Sequence, residues 1–204
     1  MTENLGVATL LPAGMHDAAL GKLKSCGTAF TGGDVKVVDE DGHTLPPGQV
    51  GEIVMRGPWV MRGYWNNPEA TAATVRDGWL WTGDAGYFDE DGCLYIHDRI
   101  KDMIKTGSEN VYPAEVENAI FDHPSIADAA VIGVPDARWG EAVKAIVVLK
   151  PGETLDVADL DRHMRARIGG FKVPRSYDVV TALPRNPSGK VLRRELRQQF
   201  GQRA

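Results

Sequence analysis

Two stretches of this sequence hold residues that could act on one small molecule: Trp81-Thr82-Gly83-Asp84 and Asn186-Pro187-Ser188-Gly189-Lys190. The carboxylate of Asp84, on a tight turn opened by Gly83, suits the two vicinal hydroxyls of a ribose, which would donate hydrogen bonds to it. Lys190 sits on a loop that Ser188 and Gly189 make flexible, a mobile point charge able to reach an anionic phosphorus–carboxylate centre. The pair points to an enzyme that handles ATP. One stretch lies in each half of the chain, so folding must assemble the site. Each residue also has an ordinary reading: Asp84 could cap a turn, Lys190 could be solvated at a helix end, and Arg99 could pair with Asp98 or Asp102.

The elements that must position these groups fall into two styles. Up to about residue 100 the pattern is β-rich. Val35–Val38 and Gly51–Met55 read as strands, and Asp39-Glu40-Asp41-Gly42 between them carries an Asp-Gly hairpin signal. The same tetrapeptide recurs as Asp89-Glu90-Asp91-Gly92, between Tyr87-Phe88 and Cys93-Leu94-Tyr95-Ile96, and predicts a second hairpin. Asn67-Pro68-Glu69 offers a capping side chain, a proline at the first helical position and an acid in the first turn, so a short helix should run to about Val75.

From Arg99 onward helices and strands alternate. Pro113 opens a helix with Val116 and Ile120 on one face. Ala129–Val134 and Ala142–Leu149 read as strands. Val157, Leu160, Met164 and Ile168 predict a second helix closed by Gly169-Gly170, and a basic helix should run from about Lys190 to Phe200. Its Arg193, Arg194 and Arg197 read as a solvated face. The expected fold class is α+β: a β-rich piece over 1–100, then a small α+β domain over 101–204.

Composition narrows the function. With 204 residues, 43% hydrophobic, 25% charged and a net charge of −5, the chain reads as a soluble globular protein, not a nucleic-acid or membrane-surface binder. No apolar run approaches the length of a membrane span, and the N-terminus has no secretory pattern. Two cysteines without a pairing pattern, Cys26 and Cys93, fit a reducing cytoplasm. The five histidines stand singly in the sequence and make no metal motif.

Six motifs, in order, resemble one family. They are Thr2-Glu3; Gly51-Glu52-Ile53 with Gly57 and Gly63-Tyr64; Trp81-Thr82-Gly83-Asp84; Asp98-Arg99-Ile100-Lys101-Asp102 with Lys105; Asn110-Val111-Tyr112-Pro113-Ala114-Glu115-Val116-Glu117; and Asn186-Pro187-Ser188-Gly189-Lys190. The sequence is similar to the adenylate-forming acyl-CoA synthetases, relatives of luciferases and of peptide-synthetase adenylation domains, and most resembles the medium- and long-chain fatty acyl-CoA synthetases.

The resemblance implies a carboxylic acid substrate, ATP, Mg²⁺ and coenzyme A. Thr2 would contact the α-phosphate, Glu3 would help hold Mg²⁺, and Asp84 and Arg99 would bind the ribose of ATP or AMP. Lys190 would serve adenylation. Lys101 would be the hinge about which a mobile C-terminal domain turns, bringing Lys105 to the active centre and the Gly107-Ser108 loop to the path of coenzyme A. Ser108 stands where many relatives have a second glycine. The first piece would be the distorted, barrel-like end of the large AMP-binding domain.

The family's phosphate loop and acyl pocket lie upstream of its Thr-Glu pair, and here Thr2-Glu3 open the chain. The sequence therefore reads as the C-terminal portion of a synthetase that needs an N-terminal region, and alone it should form little or no acyl-CoA. An acyl-adenylate ligase that loads a carrier protein, or a remnant that only binds a nucleotide or coenzyme A, would share these motifs.

Overall fold

The computed structural model describes residues 1–201. The chain separates into two units, one ending at Lys101 and one beginning at Asp102, each with its own apolar core. The class is α+β.

In the first unit, β1 (Thr9–Leu10) and β2 (Thr28–Ala29) make a two-stranded ribbon. The main sheet is built from β3 (Asp34–Val38), β4 (Gly51–Arg56), β5 (Val75–Arg76), β6 (Trp79–Phe88) and β7 (Leu94–Arg99). All its pairings are antiparallel: β4 joins β3 to β6, and both β5 and β7 pair with β6. Val37, Ile53, Met55, Leu80 and Leu94 supply the core. The sheet stays open, and no closed barrel forms among the described residues. The helix α1 (Pro68–Thr74) starts as its residues require, with the Asn67 side chain accepting from the Ala70 amide at 3.0 Å.

One local turn occurs three times. Asp39, Asp89 and Asn186 each accept, through Oδ1, the backbone N–H groups two and four residues on. Their own N–H groups donate to the carbonyl four residues on, and a glycine at the fourth position takes φ of +86°, +73° or +82°. A side chain that replaces a backbone partner and a glycine that tolerates positive φ encode this turn locally. After the first such turn the chain makes only a bridge, Val38 with Thr44, before β4 begins at Gly51.

The second unit contains β8 (Ile104–Thr106), β9 (Glu109–Val111), α2 (Pro113–Phe121), β10 (Ile126–Asp136), β11 (Gly140–Leu149), α3 (Val157–Arg165), β12 (Ser176–Val179) and α4 (Arg193–Phe200). The long β10–β11 hairpin is its spine, with β12 parallel to β11 and the β8–β9 hairpin reached through Thr106 and Gly140. Alternation along the spine divides two cores. Ala129, Val131, Val143, Ala145 and Val147 pack with Val116, Ile120, Leu160 and Met164 of α2 and α3. Ala130, Ile132, Val134, Ala142 and Ile146 pack with Leu183 and with Leu196 of α4.

The helix over 157–168 is shorter than its apolar spacing predicts. It ends at Arg165, Ile168 reaches the core from beyond it, and Gly170 opens a 3₁₀ turn through Lys172. The last helix begins at Arg193, three residues after Lys190. His123 and His163 do not stand alone, since their rings meet edge to face at 5.0 Å. No helix among the described residues is long and apolar enough to cross a membrane.

Val157 and Leu160 share a predicted face but differ in burial, 45% against 0% exposed. Leu160→Ala should cost about 2–5 kcal/mol by leaving a cavity, whereas Val157→Ala should change stability by less than about 0.5 kcal/mol. Hydrogen exchange across β10 and β11 in a urea series measures both, and equal losses would refute the assignment of the core face.

Candidate functional site

Asp84 does not stand on a turn between elements. It lies inside β6, where Glu52 of β4 pairs with Ala85 and Val54 pairs with Trp81, so three residues of β6 oppose Ile53 alone. This is a β-bulge, and Gly83 takes φ +69° within it. The displaced backbone groups find side-chain partners: Thr82 Oγ1 donates to the Ile53 carbonyl at 2.7 Å and accepts from the Asp84 amide at 3.1 Å, while Glu52 Oε1 accepts from the Gly83 amide at 2.9 Å.

Across the next pairing, the β6–β7 hairpin sets Asp84 directly opposite Arg99. The Arg99 Nε lies 2.8 Å from Asp84 Oδ1, and both side chains remain partly exposed. The Arg99 side chain thus pairs with Asp84, while its backbone N–H donates to Asp98 Oδ1 at 2.7 Å.

A cleft of about 320 Å³ opens beside the bulge, lined by Glu3, Glu52, Tyr64, Arg76, Trp81, Gly83 and Arg99 among others. The Tyr64 hydroxyl donates to Glu3 Oε1 at 2.8 Å. Bonds from its own backbone N–H and from the Tyr64 hydroxyl hold the pKa of Glu3 below the usual carboxylate value, so it is ionised at neutral pH. Thr2 is exposed in the adjoining turn and is not among the residues lining the cleft. Arg76 is held over the Trp81 ring at 4.4 Å and donates from Nε to the Ala73 carbonyl at 2.9 Å. Sequence reading gave no role to Glu52, Tyr64 or Arg76. Glu52 and Tyr64 stood inside quoted motifs, but Arg76 had no signal beyond its charge.

The candidate lysines belong to the second unit. Lys190, exposed, follows the Asn186 turn, so its loop is organised by hydrogen bonds where flexibility was expected. Arg185 clamps that turn by donating to the Gly189 carbonyl at 2.6 Å and pairing with Asp128, near the start of β10, at 2.6 Å.

Lys105 and the Gly107-Ser108 loop form the other hairpin. The Gly107 amide donates to the Trp139 carbonyl at 2.7 Å, the Lys105 amide donates to Glu141 Oε2 at 2.8 Å, and Thr106 pairs with Gly140, opposite Asp136 at the far end of β10. Gly107 has φ +65° and Ser108 does not take positive φ, so serine fits this turn without backbone strain. From Asp128 to Asp136 the strand spans roughly 26 Å, and the two lysine loops are fixed at its opposite ends.

Lys101 is exposed in the 3₁₀ turn Ile100–Asp102. On one side Arg99 is bound to Asp84. On the other, Asp102 is buried and paired with Arg197 at 2.9 Å and Arg193 at 3.9 Å. Only Ile100 and Lys101 separate these anchors. Arg193 also meets Glu117 at 2.7 Å, so the expected solvated basic face of α4 is partly an internal ion network.

Two family models match this chain, the AMP-binding enzyme over residues 1–65 and the AMP-binding enzyme C-terminal domain over residues 115–190. The chain belongs to the AMP-binding, adenylate-forming enzyme family. It is 47% identical over 98% of its length to the fatty acid–[acyl-carrier-protein] ligase ScoC of Streptomyces coeruleorubidus, of which it spans 38%. It is 45% identical over 96% of its length to a long-chain-fatty-acid–CoA ligase of Bacillus subtilis, of which it spans 36%. Among solved structures, the o-succinylbenzoate CoA synthetase of Bacillus subtilis with its acyl-adenylate intermediate superposes with a TM-score of 0.88, at 38% identity, covering 96% of this chain and 39% of that one. The same synthetase has been solved with ATP and a magnesium ion, covering 97% of this chain and 40% of that one, at 37% identity and a TM-score of 0.86. This family's chain thus spans about two fifths of the length of the relatives it matches.

The lowered pKa of Glu3 has a direct check. In Tyr64→Phe the hydroxyl donor is gone, so the Glu3 pKa should rise toward the ordinary value of 4.5. A carboxyl NMR titration of Glu3 reads this, and an unmoved midpoint would show that Tyr64 does not hold the carboxylate.

Proposed function

We propose that the chain forms the C-terminal portion of an ATP-dependent, AMP-forming acyl-CoA synthetase acting on a fatty or similar carboxylic acid in the cytoplasm. In the first half-reaction a substrate carboxylate oxygen attacks the α-phosphorus of ATP, and pyrophosphate leaves. In the second, the thiol sulfur of coenzyme A attacks the acyl carbonyl, and AMP leaves with the electron pair of the broken bond. The observation that carries the reading is the pairing of Asp84 with Arg99 on a bulge beside the cleft that Glu3 and Arg99 line.

In this reading Asp84 accepts the ribose hydroxyls and Arg99 fixes the carboxylate that receives them. Thr2 contacts the α-phosphate. Glu3 presents an ionised carboxylate in the cleft, which fits a magnesium ion, since that ion takes one or two carboxylates together with phosphate oxygens. When bound, the metal supplies charge neutralisation at the phosphates. The phosphate loop and acyl pocket come from the region that precedes these residues in the longer relatives.

Lys190 and Lys105 serve different half-reactions. Their loops stand at opposite ends of β10, farther apart than two lysine side chains can bridge, which supports successive use of the two ends. Lys101 is then the hinge of a mobile domain that begins beside it, and the Gly107-Ser108 hairpin lines the way for the thiol arm of coenzyme A. A carrier protein in place of coenzyme A is the second reading, favoured by the 47% identity to a carrier-protein ligase. Product analysis with each acceptor distinguishes the two.

Two variants of the full-length synthetase test this division. Lys190→Ala should slow pyrophosphate release from acid and ATP by roughly 10²-fold or more, with thioester formation from supplied acyl-adenylate nearly intact; equal loss in both steps would rule the division out. Lys101→Pro, which fixes φ near −65°, should impair one half-reaction far more than the other. Wild-type rates in both, from a folded variant, would remove Lys101 from the hinge.

A further inference from the structure

The Gly51-Glu52-Ile53 motif has no role in the chemistry above, yet Glu52 is the residue of β4 that reaches the bulge. Its backbone pairs with Ala85, one residue past Asp84, and its carboxylate crosses to the Gly83 amide at 2.9 Å. Gly51 brings the chain in close enough for this. A Cβ at Gly51 would stand 2.3 Å from the Val38 carbonyl oxygen, so β4 can begin here only with glycine.

We propose that Glu52 is a positioning residue for the nucleotide: its carboxylate fixes the Gly83 peptide, and thereby the direction in which Asp84 faces the ribose. The inference rests on the reading of Asp84 as the ribose acceptor. Gly83 is partly exposed, and water could satisfy its N–H. What the carboxylate adds is orientation. A glycine at φ +69° in an unpaired bulge has the widest choice of backbone conformations of any residue, and the peptide that Glu52 holds lies next to the one carrying Asp84. Thr82 restrains the other side of the bulge through Ile53.

The charge arrangement supports the same role. Glu52 lines the cleft together with Glu3, and an additional carboxylate there repels the polyanion that the site is proposed to bind. Directed into a charge-assisted bond with a backbone N–H, that carboxylate is committed to the bulge, and such bonds are roughly twice as strong as neutral ones.

The test uses the full-length synthetase and the preference, in kcat/KM, for ATP over 2′-deoxy-ATP and over 3′-deoxy-ATP. This ratio does not depend on the fraction of enzyme that is folded. Glu52→Ala, and Glu52→Met as a variant of similar length without an acceptor, should lower the preference by about tenfold, the worth of one well-made hydrogen bond. Glu52→Gln, whose amide oxygen can still accept from Gly83, should restore most of it, and Asp84→Ala should abolish it. If Glu52→Ala and Glu52→Met keep the wild-type preference while Asp84→Ala loses it, the positioning role falls and the ribose reading stands. Glu52→Gln as low as Glu52→Met would also overturn the proposal. If Asp84→Ala keeps the wild-type preference, the ribose reading falls and the role of Glu52 falls with it.

Discussion

The burial of one carboxylate organises the second unit. Asp102 is 8% exposed, and a charge in that position is stable only if it is paired, since removing the partner of a buried ion pair typically costs about 3–5 kcal/mol. Its partners, Arg193 and Arg197, stand four apart on α4 and so share a face, while Leu196 packs into the core beneath the helix. The first residue of the unit is thereby tied to its last helix, 95 residues away in sequence. An isolated helix of eight residues would be marginal in water. The ion network gives α4 a fixed place, and Lys144, 3% exposed, meets the other end of the helix by donating to the Phe200 carbonyl at 3.3 Å.

That tie also bounds the segment between the units. Arg99 is paired with Asp84 by strand register and ion pair, and Asp102 is paired with α4, so only Ile100 and Lys101 lie between an anchor in the first unit and an anchor in the second. A separate ion pair anchors the turn before Lys190. The lysine lies just ahead of α4, and its turn is clamped by Arg185 to Asp128, so it holds a fixed place within the second unit.

Much of this was legible where the information is local. Asn67 before Pro68 states a helix start, and the Asp-Gly tetrapeptides state a turn, because the groups that satisfy the backbone lie within four residues of one another. Asn186 belongs to the same class. Ser188 and Gly189 alone suggest a flexible loop, whereas the Asn186 side chain, accepting from the Ser188 and Lys190 amides, orders it. Apolar spacing extends the helix over 157–168 because periodicity reports which side chains face the core and not whether the chain between them is helical. Ile168 packs with Leu160 and Met164 although the helix stops at Arg165.

The site itself was legible as a set of residues and illegible as geometry, and Asp84 shows why. A glycine at positive φ is equally at home in a turn and in a bulge, so Trp81-Thr82-Gly83-Asp84 alone could not decide between them. What decides is non-local: β4 and β7 occupy the two edges of β6, and the extra residues opposite Ile53 can be kept only if their backbone groups find partners outside the ladder. Those partners are Thr82 and Glu52, one inside the motif and one thirty-one residues before Gly83. A motif can therefore name the group that touches a ligand while leaving unnamed the group that aims it, since the second is chosen by the neighbouring strand. Arg99 is marked by the motif Asp98-Arg99-Ile100-Lys101-Asp102, and the β6–β7 register then sets it opposite Asp84. Glu52 lay on the other edge, where an acid following a glycine in a strand looks like any solvated position until the register is known.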